Sequence, residues 1–283
     1  MIVIKNTLLL LLRIAAVLFA ISVSQKKRLY QNRFLSLDDI RLSYCTTGGK
    51  KQPIVLLHGW GQEKETWENV MLALSKTYTV YAFDLPGFGE SSLPNRPLSV
   101  TNYAEIIHDA LKVFTKKRVI LLGHSFGGKI AIELATLYPH TIDSIILYSA
   151  DLGIQKTPTE KLLFVFLSLS QIYPFRLVVQ GYLAMRKKSF TRYLFLAKTY
   201  QQNKHYTAKK ILPQIKTRVL LLYGASDPVT RLGTAKQIES HLPKATLRIL
   251  PKSTHLAHIE QPDVFLKHIT AFLQNGLTNL LGY

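Results

Sequence analysis

The sequence has little cysteine and few acidic residues, and each shortage excludes a class of protein. Its 283 residues include a single cysteine, Cys45, so no intrachain disulfide can form. This excludes a small scaffold stabilised by disulfides and weakly favours a reducing compartment. The 17 Asp and Glu residues are outnumbered by 36 Lys and Arg, which gives a formal net charge of +19 at pH 7. Such an imbalance favours an anionic partner, either a membrane surface, an acidic protein or a nucleic acid.

The sequence also lacks low-complexity linkers, internal repeats and any recognisable nucleic-acid-binding module. Without such a module, nucleic acid is the least favoured of the anionic partners, and we expect none. Hydrophobic residues make up 47% of the chain. A chain of this length and composition can bury a full core as one large domain, with or without an insertion.

One long apolar run lies near the N terminus, within residues 1–27. It extends over about 17 residues, from Thr7 to Val23, with Arg13 at its middle, which is near the lower limit for a membrane-spanning helix. Cations at positions 26–28 follow at once. The positive-inside rule then predicts a membrane anchor or surface helix, with the following domain in the cytoplasm. The alternatives are a cleaved signal peptide, which implies secretion, and a helix packed on the domain.

Short apolar runs alternate with helical patterns along the rest of the chain. Strands are predicted at 54–57, 79–83, 119–122, 142–149, 218–223 and 246–250, after a hairpin at 34–44. This alternation predicts an α/β fold, with a mainly parallel sheet flanked by helices. Functional sites in such sheets lie at the carboxyl ends of the strands.

The segment Gly123-His124-Ser125-Phe126-Gly127 joins a predicted strand to a predicted helix. This is the context of a nucleophile elbow, in which a serine is held out at the carboxyl edge of the sheet. The turn is so tight that its flanking residues must be nearly free of side chains, as Gly123 and Gly127 are. The helix amides that follow favour negative charge developing near Ser125.

A serine hydroxyl needs a base to take its proton and usually a carboxylate to orient that base. Asp227 follows the predicted strand at 218–223, and His255 follows the strand that ends at Leu250. Each of the three residues therefore comes just after a strand, in the chain order Ser, Asp, His. That order predicts a triad of Ser125, Asp227 and His255.

Five motifs carry a resemblance to a known family: HGWG, DLPGFGESS, GHSFGG, YGASDPVT and HLAHIEQP. From about Ile54 to Leu273 the chain resembles the α/β-hydrolase superfamily, in particular its serine esterases and C–C bond hydrolases. The resemblance implies an α/β-hydrolase fold with a helical cap inserted after strand 6, and neither a metal nor an organic cofactor. It also implies an oxyanion hole built from the backbone N–H groups of Trp60 and Phe126, whereas Asp84 resembles a structural turn residue.

The chain departs from the family pattern near its predicted histidine. Thr254 stands where relatives usually have glycine, and His258 lies three residues after His255. We prefer His255, because His258 matches a non-catalytic histidine of the family. Asp151 is an alternative acid, since some family members place theirs after the sixth strand. Lys129 either meets an anionic substrate or pairs with Glu133, four residues further along the helix.

The resemblance divides the chain into an N-terminal segment (1–27), a first core part (28–150), a cap (151–212) and a second core part (213–283). From Asp151 to Lys210 there are eleven Lys and Arg against two acids, with many aromatic residues. Such a cap suits acyl-chain substrates, or docking on anionic lipid or an acidic carrier protein. The alternative is a packed helical core with a solvated basic rim.

The sequence therefore predicts a serine hydrolase that cleaves carboxylic esters or related acyl bonds through an acyl-enzyme, with a lipid-like or acyl-chain substrate. Two alternatives use the same residues: a C–C bond hydrolase acting on a vinylogous diketone, and a carrier-protein methyl esterase. A homologue that only binds a ligand is a further alternative, and the complete Ser, His and Asp set argues against it.

Overall fold

The computed structural model of the protein describes residues 30–150, 152–154, 168, 172, 175–185 and 189–280. Its strands form one eight-stranded sheet in the order β1-β2-β4-β3-β5-β6-β7-β8. The strands are β1 (Arg33–Leu37), β2 (Ile40–Thr46), β3 (Gln52–Leu57), β4 (Tyr78–Phe83), β5 (Val119–His124), β6 (Ile142–Tyr148), β7 (Arg218–Gly224) and β8 (Ala245–Leu250). Strands β1 and β2 form the predicted antiparallel hairpin, and β2 pairs antiparallel with β4. All other pairings are parallel.

Helices connect most of the strands and lie against the sheet. In the described residues they are α1 (Glu68–Leu74), α2 (Val100–Phe114), α3 (Phe126–Leu137), α4 (Phe175–Met185), α5 (Phe190–Gln202), α6 (Leu232–His241), α7 (Ala257–Glu260) and α8 (Pro262–Leu280). Helix α2 begins after Ser99, whose hydroxyl accepts from the Asn102 N–H in a capping box. The predicted α/β-hydrolase fold, mainly parallel and flanked by helices, is confirmed.

The central strands are apolar throughout because both faces of the sheet are covered. In β3, Ile54 and Leu56 pack into the core on one face, whereas Val55 and Leu57 pack into the core on the other. All four side chains are fully buried. Side chains alternate between the two faces of a strand, so an uninterrupted apolar run is what a strand covered on both faces requires.

The described part of the predicted cap, between β6 and β7, contains the helices α4 and α5. Arg192 of α5 donates from Nη1 to the carbonyl oxygens of Gly87 (3.1 Å) and Gly89 (2.9 Å). Phe195 of the same helix packs so closely on Gly87 that an added Cβ there would lie 2.2 Å from its ring. The loop after β4 therefore has a glycine at the point where α5 packs against it.

Three predictions fall wholly or partly outside the described residues. The segment 1–27 and Asp151 are not among them, and neither are residues 155–167 of the predicted cap. Within the described ranges, no helix has both the length and the apolar character needed to cross a membrane. The division at residues 27, 150 and 212 stays a prediction.

Candidate active site

Ser125 lies between β5 and α3 in a backbone conformation that few non-glycine residues adopt. Its φ is 50° and its ψ is −110°. The Ser125 N–H donates to the Tyr148 carbonyl oxygen (2.9 Å), which fixes the turn against β6. An added Cβ would lie 2.5 Å from the Gly127 oxygen at Gly123 and 2.2 Å from the Leu57 oxygen at Gly127. Only glycine fits at these two positions, as expected of a nucleophile elbow.

Asp227 and His255 are joined by a buried hydrogen bond, 2.9 Å from His255 Nδ1 to Asp227 Oδ2. The other carboxylate oxygen accepts from the N–H groups of Val229 (2.8 Å) and Thr230 (2.9 Å). Burial acts to raise the pKa of Asp227, but the His255 ring and the hydrogen bonds from His255 and Thr230 outweigh it and hold the pKa below its ordinary value. An ionised Asp227 keeps the histidine proton on Nδ1 and leaves Nε2 free to accept one.

The three predicted residues lie at the carboxyl ends of β5, β7 and β8, on the same edge of the sheet. The structure joins Asp227 to His255 directly, and it joins His255 to the elbow through His124, the residue before Ser125. Among the described residues, no hydrogen bond joins the Ser125 hydroxyl to His255. In enzymes without bound substrate such bonds are often long, and they tighten when the substrate binds.

The HGWG loop places Trp60 against the residue after the serine. The rings of Trp60 and Phe126 meet edge to face, with centroids 5.1 Å apart. His58 anchors the loop, since its Nδ1 donates to the Gly59 carbonyl (2.8 Å) and its Nε2 accepts from the Leu85 N–H (3.0 Å). Burial lowers the pKa of His58. His58 therefore has the structural role of a neutral, fully bonded turn residue.

Aromatic rings cluster around Trp60 at this end of the sheet. Phe88, from the loop after β4, lies 5.2 Å from the Trp60 ring, and Tyr200 of α5 lies 5.4 Å from it. The Tyr200 contact brings the described part of the insertion onto the HGWG loop. The sequence indicated that the insertion is rich in aromatic residues, but nothing in it marked Tyr200, because a tyrosine on a helix carries no local sign of what it contacts.

His258 does not take the place of His255 in the described contacts. Its Nε2 lies 2.8 Å from Thr66 Oγ1, and its ring packs on Trp67 with centroids 4.9 Å apart. Burial lowers its pKa to about 3. His258 is thus a neutral packing residue, in line with the preference for His255.

Lys129 and Glu133 both lie beside Tyr206, from the chain that follows α5. Lys129 Nζ is 5.9 Å from the Tyr206 ring centroid. Glu133 accepts from the Tyr206 hydroxyl (3.3 Å) and from Thr101 Oγ1 (2.7 Å).

Within the described chain, no three His, Cys, Asp or Glu side chains are grouped as metal ligands.

Sequence reasoning missed two buried polar groups next to the site. One comprises Gln62 and His124, and His124 was visible inside the GHSFGG motif. The other is an ion pair between Lys64 and Asp84, 2.7 Å from Nζ to Oδ2, with both side chains fully buried. A lysine seven residues after a strand has no distinguishing pattern, so nothing in the sequence marked Lys64 as a buried residue.

The comparisons with known proteins agree with this fold. The model of the alpha/beta hydrolase family matches residues 54–268. An uncharacterized protein of Mycobacterium tuberculosis is 40% identical over 102 residues, which span 36% of this chain but only 30% of that protein. The pimeloyl-[acyl-carrier protein] methyl ester esterase of Pectobacterium carotovorum is 25% identical over 258 residues, covering 82% of this chain and 98% of the esterase.

A solved structure extends the similarity over nearly the full length. The crystal structure of a membrane phospholipase A, a bacterial virulence factor, superimposes with a TM-score of 0.72 at 25% sequence identity. The match covers 98% of this chain and 99% of that one.

Proposed function

Because the chain belongs to the alpha/beta hydrolase family, we propose that it is a serine hydrolase that cleaves carboxylic esters or related acyl bonds. The observation that carries the proposal is the buried hydrogen bond between Asp227 and His255, at the same sheet edge as the left-handed turn of Ser125. An ionised carboxylate, an oriented imidazole and a serine hydroxyl held on a tight turn are what nucleophilic catalysis requires. A protein that only binds a ligand has no need of the three together.

In the proposed reaction, the Ser125 hydroxyl attacks the ester carbonyl carbon while His255 Nε2 takes its proton. Asp227 holds the imidazole in the productive tautomer and stabilises the imidazolium that forms. The imidazolium then protonates the leaving alcohol, and the acyl group stays on Ser125. Water, activated by the same histidine, attacks the acyl-enzyme and releases the carboxylic acid. The sequence needs neither a metal nor an organic cofactor for these steps.

We assign the oxyanion hole to the backbone N–H groups of Trp60 and Phe126. Phe126 is the first residue of α3, so its N–H has no acceptor within the helix and points out of the helix N terminus. The ring contact between Trp60 and Phe126 shows that the side chains of the two residues meet at this end of the sheet. One such donor is worth roughly 10²- to 10³-fold in rate.

The substrate class follows from the surroundings of the elbow. The half-buried rings of Trp60 and Tyr200, packed over the buried rings of Phe88 and Phe126, offer an apolar surface for an acyl chain. The net charge of +19 favours an anionic surface, and one similar solved structure is that of a membrane phospholipase A. We therefore propose a lipid-like ester as substrate, reached at an anionic membrane surface, with residues 1–27 as the anchor and the catalytic domain on the cytoplasmic side.

A methyl esterase acting on an acidic carrier protein is the second candidate. The similar pimeloyl-[acyl-carrier protein] methyl ester esterase matches over 98% of its length, and the same positive charge would attract an acidic partner. This candidate predicts binding that weakens steeply with salt. A C–C bond hydrolase would use the same three residues and differs only in the substrate it accepts.

The test compares hydrolysis of p-nitrophenyl esters, from acetate to palmitate, by the full-length protein and by Ser125→Ala in mild detergent. Ser240→Ala, on the exposed face of α6, is the matched control. We expect Ser125→Ala to lose at least about 10³-fold in kcat and to resist a fluorophosphonate label, while the control keeps both properties. The preferred chain length reports the depth of the apolar site.

The contrary result is also specific. A wild-type protein that is as inert as Ser125→Ala, and that takes up no fluorophosphonate, would overturn the serine hydrolase proposal. If the wild type is labelled but prefers the methyl ester of an acyl carrier protein, with a KM that rises with salt, the second candidate replaces the lipid ester.

A further inference from the structure

His124 makes two buried contacts that join separate parts of the candidate site. Its side chain is 1% exposed. Its Nδ1 lies 2.7 Å from Gln62 Oε1, in the loop that carries Trp60, and its Nε2 lies 3.0 Å from the backbone oxygen of His255. We propose that His124 is a positioning residue, which donates its Nε2–H to the backbone carbonyl of His255 and so sets the position of that residue. The inference rests on the proposed serine hydrolase function.

Both oxygens that His124 meets can act only as acceptors. Gln62 Oε1 also accepts from the Gly59 N–H (2.8 Å), which identifies that atom as the amide oxygen. The His255 oxygen is a backbone carbonyl, and it also accepts from the Tyr148 hydroxyl (2.8 Å). The imidazole therefore lies between two acceptors, and in its neutral form it can donate to only one of them.

The buried surroundings of His124 favour its neutral imidazole. Burial lowers the pKa of His124 well below its ordinary value, and the neighbouring His255 and His258 lower it further. The rings of His124 and His255 lie with centroids 4.7 Å apart, so a charged His124 would oppose the His255 imidazolium that the proposed reaction forms. With a proton on Nε2, a neutral His124 instead donates to the carbonyl of the residue that must carry that charge.

The loop that carries Trp60 packs closely on His124 at Gly59. A Cβ added at Gly59 would lie 2.7 Å from His124 Nδ1 and 2.9 Å from Gln62 Oε1. The glycine of the His58-Gly59 motif is therefore required by the His124 and Gln62 side chains. The Trp60 amide follows directly in the chain, so the same contact places it relative to the elbow.

A small displacement of the His255 ring is enough to slow the reaction. A misplacement of about 1 Å costs roughly 10²-fold in rate when reacting groups must be aligned. Tyr148 supplies a second donor to the same carbonyl, so we expect loss of the His124 donor to lower kcat by about 10- to 100-fold. His124 is not itself among the residues proposed to contact the acyl chain, so kcat should fall more than KM changes.

The experiment uses a pair of variants that mimic one ring nitrogen each. The amide nitrogen of His124→Gln takes the place of Nε2 and can still donate to the His255 carbonyl, whereas that of His124→Asn takes the place of Nδ1 and reaches only Gln62. His124→Phe keeps the ring shape and removes both nitrogens. His108→Phe, in a side chain stacked on Tyr138 at 3.5 Å and outside the site contacts described above, is the matched control.

We expect kcat for a p-nitrophenyl ester to fall about tenfold or more in His124→Asn and His124→Phe, and to be largely retained in His124→Gln and His108→Phe. The low-field proton resonance of the hydrogen bond between His255 and Asp227 should shift or broaden in the two impaired variants only. Equal kcat values and resonances in the Gln and Asn variants would overturn the proposal, even if His124→Phe does not fold. If Ser125→Ala instead leaves the activity of the wild type unchanged, the proposed function fails. The low-field proton resonance of the hydrogen bond between His255 and Asp227 would then still test whether His124 positions His255.

Discussion

The buried ion pair between Lys64 and Asp84 leads to a prediction about what holds the Trp60 loop in place. Lys64 Nζ lies 2.7 Å from Asp84 Oδ2 and 3.0 Å from Glu65 Oε1. The carboxylate also accepts from the N–H groups of Lys64 and Glu90, each at 2.8 Å. Asp84 directly follows β4, so the pair fastens the segment after Trp60 to the sheet. The perturbation we choose is Lys64→Met, which keeps the length of the side chain and removes its charge.

The magnitude follows from what the substitution leaves behind. Both side chains are fully buried, so Lys64→Met leaves the Asp84 carboxylate without its cation in a place that water does not reach. Breaking a buried pair in this way costs about 3–5 kcal/mol. The total stability of a domain is about 5–15 kcal/mol, so we expect the variant to lose a large share of it.

The assay is urea unfolding at pH 7, followed by circular dichroism. Lys112→Met is the matched control, because Lys112 pairs with Asp109 at the same 2.7 Å distance on an exposed helix face. Solvent screens an exposed pair of this kind, so its removal should change the stability little. Both variants remove a lysine that pairs with an aspartate at 2.7 Å, and the main difference is that only the Lys64 pair is buried.

The pH dependence gives a second check. Burial acts to lower the pKa of Lys64, but Asp84 and Glu65 outweigh it, so the pKa lies above its ordinary value of 10.5. A raised pKa means that the stabilisation is complete below the unfolded value and is lost only as pH rises through the folded value. The difference between wild type and Lys64→Met should therefore stay constant between about pH 7 and 9. A cost for Lys64→Met no larger than that of Lys112→Met would refute this account.

Three further predictions concern the elbow, the acid and the insertion. Gly127→Ala should fail to give soluble, folded protein, because its Cβ would lie 2.2 Å from the Leu57 oxygen; a soluble variant with wild-type activity would contradict this. Asp227 has a lowered pKa in the folded protein. The stability that ionised Asp227 adds is therefore fully present at a pH above its ordinary pKa, and it is lost as the pH falls through its pKa in the folded protein. The melting temperature of wild type should thus approach that of Asp227→Asn as pH is lowered from about 5 to 2, and a constant gap would argue against the pair. Arg192→Gln should speed limited proteolysis within α5, since it removes charge-assisted donors to Gly87 and Gly89, and unchanged cleavage would contradict the docking role.

The sequence by itself determined the strands, the elbow and the order of the site residues. Each of these features is encoded in a short stretch of sequence, because side-chain periodicity and the steric requirement for glycine act over a few residues. The predicted strand at 79–83 is β4 (Tyr78–Phe83), and the predicted strand at 218–223 is β7 (Arg218–Gly224). Gly123 and Gly127 could be assigned to a tight turn before any contact was known.

Only the tertiary structure decided which of these pieces meet. Gln62 and His124 are 62 residues apart, and His124 and His255 are 131 apart, yet one imidazole contacts both. The pairing of Lys64 with Asp84, and that of Tyr200 with Trp60, depend in the same way on the strand order and on where α5 packs. Local propensity holds no information about such distant neighbours, because the sheet order and helix docking arise from burial of the whole core. The residues of the proposed site and the strands that carry them could therefore be predicted from the motifs, whereas the buried polar contacts around them could not.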